Sequence, residues 1–430
     1  MMKKTIKIAF LAAGTLCFYA NIFANTYGLF PSGSTSKGSA IESAIDAREA
    51  AGLLYNPALL SVSKPGLTGE LGLGRLLYRY EHPQFDPVSL NVTSPMVSAG
   101  WSSSDIAFTG SSIRWGIAVL PTSMATLKIA GLPRRINGTP ESLNVETSRR
   151  QFHIPVGISW NNMSMDTSRL SIGAALIATY DERSLKANSL VDQANLVDTK
   201  AKGTFYRPNV GILYGYYPSN SEMTSQAQSQ NLESVELGVS FTKSLAKGFK
   251  GKTTLAGTKD EFDTETVDFD PAMLMTGFKV SLTTWRFSLN INRLLAQSGS
   301  SIVRDGLNRK TDKADLRDVN QIGAKIEYQI SEDQSISAAA AYLPTIWGAG
   351  FYSKNSDLTS EHELGHLFGN FNAMPVRNQA ISHSLNLGSY NIKNTFFRTA
   401  GKHSIDRSGD NPGHYQLEFI SWTTGVNTQF

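Results

Sequence analysis

The fold of this chain is indicated most clearly by its last nine residues, Trp422-Thr423-Thr424-Gly425-Val426-Asn427-Thr428-Gln429-Phe430. Alternate positions place Trp422, Val426 and Phe430 on one face together with two threonines, while the other face holds only small or polar side chains. A strand with one apolar and one polar face is typical of a closed barrel with lipid outside and water inside. A strand of a soluble sandwich can show the same alternation, so the rest of the chain must separate the two folds.

The N-terminus has the pattern of a cleavable export signal. Three lysines among the first seven residues precede an apolar stretch at residues 8–20, and Ile22-Phe23-Ala24 forms a cleavage site. Residues 1–24 are therefore predicted to be a signal peptide, whose apolar part is too short to span a membrane. The single cysteine, Cys17, lies within it. The mature chain is thus expected to have no disulfide, no cysteine-bound metal and no thiol nucleophile.

Composition narrows the class further. The chain has 430 residues, 41% of them hydrophobic, and a formal net charge of +4. Beyond Ala20 it contains no uninterrupted run of 18 apolar residues, which excludes a helical membrane protein, so any membrane crossing must use strands. Most of the net positive charge lies in the predicted leader, and nothing in the mature chain indicates nucleic-acid binding.

Segments with a period of two recur along the whole mature chain, which predicts an all-β fold. Three segments are clear, at 235–242, 285–292 and 321–330, and many polar residues share each polar face, as a water-filled lumen allows. Weaker segments lie at 67–80, 88–101, 113–127, 152–160, 170–180, 206–217, 273–282, 336–343, 381–390 and 395–399. With the terminal strand they predict a transmembrane antiparallel β-barrel of about 14 strands at residues 66–430.

The connections support an even strand number with both ends on the periplasmic side. Short connections are predicted at 281–284, 331–334 and 390–394, on the periplasmic side. Long external loops are predicted at 128–150, 243–270, 296–317 and 344–379. One periplasmic connection, 218–232, is longer than this pattern expects.

Residues 25–65, before the first strand, are rich in serine, glycine and alanine. Small side chains allow close packing in a narrow lumen, so this segment is predicted to be a lumenal hatch; a disordered periplasmic extension is the alternative. Its charged residues Asp46, Arg48 and Glu49 should then face lumenal charges such as Arg286, Lys325 or Glu327. Asn56 and Pro57 should form the turn that leads into the first strand.

Asn56-Pro57-Ala58, about thirty residues into the mature chain, resembles the motif of the long-chain fatty-acid and aromatic-hydrocarbon transporters of the bacterial outer membrane (FadL type). The third predicted strand, Trp115 to Pro121, is similar to the Gly-x-x-x-x-Pro stretch of that family, beginning at Gly116. The strand count and Phe430 extend the resemblance over nearly the whole mature chain. Thr122-Ser123 departs from it, because family members often have Phe-Gly there. The charged residues of loop 128–150 also depart from it, because the family implies an apolar extracellular capture groove there.

The resemblance implies a monomeric, non-enzymatic channel without cofactors, assembled by the barrel-assembly machinery through its C-terminal strand and surrounded by outer-membrane lipid. Its ligand would be a fatty acid or another hydrophobic small molecule. The family places a break in the wall at the third strand, and Pro121 is suited to it because proline removes a ladder hydrogen bond. An ordinary strand end or bulge is the other interpretation of Pro121. An open porin for polar solutes is the second functional hypothesis, and the hatch separates the two.

The motif His362-Glu363-Leu364-Gly365-His366 matches H-E-x-x-H, the strongest enzymatic pattern in the chain. On a helix, His362 and His366 could bind zinc, with Glu363 as general base, which would make a surface metallohydrolase. The third histidine of the extended pattern is replaced by Asn372, however, and a catalytic zinc needs three protein ligands. A short loop helix without metal is therefore the favoured interpretation.

Overall fold

The structure is a computed structural model. It describes residues 37–81, 83, 86–136, 139–162, 167–189, 195–218, 232–255, 261–295, 300–304, 309–313, 317–344, 375–405 and 413–428. The predicted signal peptide, the first part of the predicted hatch, the HELGH motif and Phe430 lie outside these residues.

Nearly all of the described chain is β-structure. The strands are β1 (Gly66–Glu81), β2 (Val88–Ser102), β3 (Ile106–Phe108), β4 (Ser111–Ile136), β5 (Thr139–Asn162), β6 (Ser168–Ser189), β7 (Asn195–Tyr216), β8 (Leu232–Thr242), β9 (Leu245–Leu255), β10 (Glu261–Asp270), β11 (Ala272–Leu282), β12 (Trp285–Leu295), β13 (Ser300–Arg304), β14 (Arg309–Lys313), β15 (Val319–Ser331), β16 (Gln334–Leu343), β17 (Val376–Leu387), β18 (Tyr390–Ile405) and β19 (Gly413–Thr428). Two 3₁₀ helices, Ala50–Leu54 and Pro57–Val62, precede them. In the part of the chain that is described, no helix has the length and hydropathy needed to cross a bilayer.

Fourteen of these strands form a closed antiparallel barrel. They follow one another as β1, β2, β4, β5, β6, β7, β8, β11, β12, β15, β16, β17, β18 and β19, and β19 pairs with β1 to close the ring. The short β3 pairs with the start of β4. The hairpins β9–β10 and β13–β14 extend the wall beyond the ring, at the end opposite the short turns. The all-β class and the fourteen-strand count are thus confirmed.

The two faces of the strands explain why a barrel forms. On β12 the outward side chains Phe287, Leu289 and Ile291 are each at least 40% exposed. The inward side chains Ser288 and Asn290 of the same strand are buried. Polar groups buried against lipid without partners would be costly, so only a closed ring with its polar faces inside satisfies these strands.

Aromatic side chains gather on the outward face near the short turns. The Trp101 and Trp115 rings lie 4.5 Å apart, and those of Trp285 and Tyr328 lie 4.7 Å apart. Such aromatic girdles mark the interface between lipid and water, and the short-turn end of a bacterial barrel is the periplasmic one. The opposite end is called the outer end below.

Three predicted loop regions were wrong. The described part of 128–150 is not a loop, because β4 continues to Ile136 and β5 begins at Thr139, and the two strands pair throughout this region. Most of 243–270 is strand, because Leu245–Leu255 and Glu261–Asp270 are β9 and β10, and β13 and β14 occupy part of 296–317. The turn predicted at 390–394 lies instead at Gly388 and Ser389, where Gly388 has φ 59°. The short connections after β11 and β15 are where the pattern predicted them.

Candidate functional site

Residues 37–65, the described part of the N-terminal segment, lie inside the barrel and are called the lumenal segment here. Most of its side chains are fully buried. Three asparagines on different strands donate hydrogen bonds from their side chains to its carbonyl oxygens: Asn209 to Leu53, Leu54 and Tyr55, Asn292 to Glu42, and Asn378 to Ala40, at 2.9 to 3.3 Å. Since a buried carbonyl must be paired, these amides replace water as its partners.

Asn56 holds two parts of the lumenal segment together and joins them to the wall. Its side-chain oxygen accepts a hydrogen bond from the Ala58 amide at 3.1 Å, which caps the helix that begins at Pro57. Its side-chain nitrogen donates to the Ala44 carbonyl at 2.8 Å and to the Ile212 carbonyl of β7 at 3.2 Å. Asn56 and Pro57 therefore lie at the start of the 3₁₀ helix Pro57–Val62, shortly before β1, and Ala58 is fully buried beside them.

Asp46 contacts polar groups of the lumen. Asp46 accepts a hydrogen bond from Ser288 at 3.0 Å and also contacts Asn290 of β12. Burial alone would raise the pKa of Asp46, but the positive charges of Lys325 and Lys279 hold it below its usual range. Of the lumenal charges that the sequence suggested as partners, Lys325 therefore acts on Asp46 through its positive charge.

Arg48 and Glu49, the other two residues predicted to face lumenal charges, differ from Asp46 in their surroundings. Arg48 forms an ion pair with Glu236 of β8, a partner that the sequence did not indicate. Glu327 pairs with Lys325 and Arg286 of the wall, each at 2.8 Å. Glu49 is partly exposed.

A set of wall glycines allows the lumenal segment to approach the barrel closely. A Cβ at Gly211 would lie 1.9 Å from the side-chain oxygen of Asn56, and a Cβ at Gly173 would lie 2.4 Å from the backbone between Pro57 and Ala58. Similar close approaches occur at Gly100, Gly157, Gly238, Gly277 and Gly323. Because no other residue lacks a Cβ, glycine is needed at these positions, where the segment lies too close to the wall to leave room for one.

Arginines on two strands bind the end of the lumenal segment. Arg114 of β4 donates to the Leu60 carbonyl at 3.1 Å and also to the Ser63 carbonyl, while its other nitrogens pair with Asp105. Arg169 of β6 donates to the Ser61 carbonyl at 2.7 Å. The chain is therefore fixed just before it enters β1.

Toward the outer end, the inward face of much of the barrel becomes apolar. These buried inward residues include Leu76, Tyr78 and Tyr80 of β1, Leu90 of β2, Leu143 and Val145 of β5, Leu343 of β16, Phe397 of β18, and Tyr415, Leu417 and Phe419 of β19; they are called the upper apolar lining. Val92 and Met96 of β2 pack against them, and Ala40 and Ile41 of the lumenal segment belong to the same cluster. The lumen thus has an apolar upper part resting on the segment.

The wall is interrupted beside this lining. The described pairing of β2 with β4 comprises only Ala99 to Ser102 with Gly116 to Val119. The more outward part of β2 keeps β1 as its described partner, and that of β4 keeps β5. The ladder between β4 and β5 also shifts between Pro121 and Ser123, as at a bulge.

Prolines occur on both strands where this pairing is absent. Pro121 lies two residues beyond the last described β4 partner of β2, and Pro95 lies in the corresponding part of β2. Because proline cannot donate a ladder hydrogen bond, it is confined to such edges. Gly116, the other predicted kink residue, is instead paired on both sides, with Ser102 and Gly157.

The structure places Asn56, Pro57 and Ala58 against the wall and Pro121 beside the interrupted pairing, but His362, Glu363 and His366 lie outside the described residues. Where the chain is described, no three side chains of the types that ligate metals lie close enough to share an ion. The three asparagines and the glycines were not singled out from the sequence. Glycine at inward positions of successive strands was the sequence pattern that could have predicted where the lumenal segment contacts the wall.

Comparison with known proteins shows the fold. No family model matches the sequence, and no curated protein matches it. Among solved structures it is similar to a FadL homologue of Pseudomonas aeruginosa, with 8% identity and a TM-score of 0.64, over 94% of this chain and 99% of that one. It is also similar to the toluene transporter TodX of Pseudomonas putida, with 14% identity, a TM-score of 0.60 and 95% and 100% coverage.

A third similar structure is the toluene transporter TbuX of Ralstonia pickettii, with 12% identity and a TM-score of 0.54, over 94% of this chain and 100% of that one. All three likenesses extend over nearly the full length of both proteins, at identities too low to indicate more than the fold. The chain therefore has the fold of the FadL-type outer-membrane transporters.

Proposed function

We propose that this protein is a passive outer-membrane channel for hydrophobic small molecules, gated by its N-terminal hatch. The observation that carries the proposal is the upper apolar lining, which is enclosed by the barrel and ends on the lumenal segment. An open porin would have a polar lumen along its length, because water and solutes must pass it. Apolar side chains facing inward favour an apolar cargo.

The interrupted wall supports a sideways exit. Val92 and Met96 face inward on β2 beside the part of β4 that has no described ladder to β2. An apolar molecule in the upper lumen gains nothing by entering the polar lower lumen, since its transfer to water is unfavourable. Passage between β2 and β4 would deliver it directly to the hydrocarbon of the membrane.

The similar structures agree with this cargo class. One is called a FadL homologue, two are called toluene transporters, and another, CymD, is called a monoaromatic hydrocarbon channel. We infer for this chain the broader class, hydrophobic small molecules including long-chain fatty acids and aromatic hydrocarbons. The function needs no catalysis and no cofactor.

The hatch role rests on the contacts of the lumenal segment. Its hydrogen bonds to Asn209, Asn292 and Asn378 and the ion pair of Arg48 join it to strands around the ring. Each bond is worth about 1 kcal/mol net, so the segment can be held in place yet displaced as a unit. We propose that its displacement opens the lumen.

The test compares uptake of an apolar cargo with passage of a polar one. Phe397 and Phe419, with ring centroids 6.3 Å apart, are buried in the upper apolar lining. Replacing both by asparagine places unpaired amides among apolar groups. The free energy of binding an apolar cargo should become less favourable by about 1–3 kcal/mol per amide, so toluene or oleate uptake should fall by roughly tenfold or more. The control is Phe287→Asn, on the lipid-facing side of β12.

Liposome swelling decides between the two transport classes. The intact protein should admit arabinose hardly faster than protein-free vesicles. Rapid swelling in arabinose, with apolar uptake unaffected by the double variant, would contradict the proposal and favour the open porin.

A further inference from the structure

The outward face of β17, β18, β19 and β1 changes abruptly from apolar to basic toward the outer end. One cross-strand row on this face consists of Ile381, Phe396, Trp422 and Leu73, which the ladders place side by side. All four are exposed large apolar side chains, with Trp422 62% exposed. This row lies on the lipid-facing wall.

The rows immediately beyond it carry five cations. They are Arg398 and Arg75 in the first row, Arg377 in the second, and Lys402 and Arg79 in the third. These five residues are called the outer basic patch. The same rows and the one beyond hold two carboxylates, Glu418 and Glu81. The patch therefore has an excess of positive charge on a surface that faces the membrane.

The height of the patch matches the outer boundary of the bilayer. Antiparallel strands rise about 3.4 Å per residue and tilt by about 40° in such barrels, which gives about 2.6 Å per residue along the membrane normal. Counted from Leu67 at the periplasmic end of β1, Arg75 lies about 21 Å up and Arg79 about 31 Å up. The apolar band of these barrels is about 25 Å tall, so the patch spans the level of the lipid head groups.

Within the described chain, nearby acids neutralise only part of the patch. Arg398 pairs with Glu418 at 2.6 Å and Arg79 pairs with Glu81 at 2.7 Å. Arg75 donates to the neutral Asn91 at 2.9 Å. Among the described residues, neither Arg75, Arg377 nor Lys402 has a carboxylate partner.

The opposite wall provides a contrast at the same height. Arg293 of β12 lies as far from the periplasmic end of its strand, Trp285, as Arg75 lies from Leu67. Arg293 pairs with Asp318 at 3.4 Å. Cations without a described acidic partner, as on β17, β18 and β1, are thus not a general property of this level of the barrel.

We propose that the outer basic patch binds the phosphorylated head group of an outer-leaflet glycolipid of the lipid A type. Its acyl chains would lie on the row of Ile381, Phe396, Trp422 and Leu73. Arginine suits this partner because its planar fork can donate two parallel hydrogen bonds to a phosphate. The proposal rests on the outer-membrane location but not on the cargo or the hatch.

The experiment uses the purified full-length barrel in mild detergent and hexa-acylated lipid A with two phosphates as probe. Native mass spectrometry counts lipid A molecules per barrel during titration. The variant Arg75→Gln/Arg377→Gln/Arg398→Gln should bind at least about tenfold more weakly than the intact protein, since three charge-assisted contacts are removed. Arg293→Gln, the matched control, should bind as the intact protein does. Heat-modifiable migration in gels verifies that each barrel is folded.

Two further measurements test whether the phosphorylated lipid itself is bound, and a third tests whether transport is unaffected. Dephosphorylated lipid A should bind at least about tenfold more weakly than the phosphorylated form, and inorganic phosphate at about 10 mM should not displace the lipid. Toluene uptake should remain normal in the triple variant. Equal binding by the triple variant, or by dephosphorylated lipid A, would overturn the proposal, and so would full displacement by inorganic phosphate. If the triple variant fails to fold, Arg75→Gln alone must weaken binding, or the proposal is wrong.

Discussion

A methyl group added at Gly211 should release the lumenal segment without unfolding the barrel. Gly211 lies on the inward face of β7, where a Cβ would lie 1.9 Å from the side-chain oxygen of Asn56 and 2.8 Å from its Cγ. Real Cβ atoms do not approach so closely, so in Gly211→Ala the Asn56 side chain must leave its position. The ladders of β7 to β6 and β8 need not change, because alanine is compatible with a strand.

The magnitude follows from what Asn56 would lose. Its amide makes three hydrogen bonds, to the Ala58 amide and to the Ala44 and Ile212 carbonyls. Each is worth roughly 0.5–1.5 kcal/mol net, and each buried partner left unpaired adds to the cost. The free energy that holds the segment in the lumen should therefore fall by about 2–4 kcal/mol, which raises the undocked fraction of the segment roughly 30- to 1,000-fold.

Two assays detect the undocked segment. Single-channel recording in planar bilayers should show frequent ion-conducting openings in Gly211→Ala that are rare in the intact protein, and limited proteolysis should cut the N-terminal segment faster. Gly69→Ala is the control, because a Cβ there meets nothing within 4 Å. Equal conductance and equal cleavage in the two variants would refute the argument that Asn56 and the wall glycines hold the segment.

Other predictions concern charge, lipid contact and metal. Burial raises the pKa of Glu42 in the lumenal segment to about 7, opposed in part by the charge of Arg207. Docking should therefore weaken by up to about 3 kcal/mol as pH rises from 4.5 to 7, and conductance should rise with pH in the intact protein but not in Glu42→Gln. Trp422→Arg, on the lipid-facing wall, should destabilise the barrel by roughly 2–4 kcal/mol in urea unfolding from vesicles. Purified protein should contain well under one zinc per chain by elemental analysis, and Glu363→Ala should transport normally; stoichiometric tight zinc would contradict this.

The alternation of side chains predicted the barrel because lipid and lumen impose opposite demands on neighbouring residues. This difference between the two faces ends at the membrane boundary, because beyond it both faces of a strand contact water. Lys128, Glu146 and Arg150 therefore read as loop residues, although β4 and β5 continue through them and Lys128 pairs with Glu146 at 3.2 Å. Strand extension beyond the bilayer depends on backbone pairing, which a periodicity of side chains does not encode.

The contacts of the lumenal segment were only partly predictable. Small residues and Asn56-Pro57 indicated close packing and a turn, since both properties are local. The wall residues that contact the segment could not be identified, because the sequence does not show which of the many inward serines, asparagines and glycines lie next to it. Arg48 illustrates this: its partner Glu236 lies 188 positions away, and several other lumenal carboxylates were equally suitable on sequence grounds.

The position of β4 links the lumenal segment to the interrupted wall. The lower part of β4 carries Arg114, which bonds the Leu60 and Ser63 carbonyls, and Gly116, whose missing Cβ leaves room for Leu60. From Leu120 outward the same strand has only β5 as its described wall neighbour. A strand paired on one side yields more readily than one paired on both, because fewer hydrogen bonds oppose its movement. We therefore expect displacement of the segment to move β4 before any other strand, so that opening of the lumen and widening of the gap beside β2 would occur together.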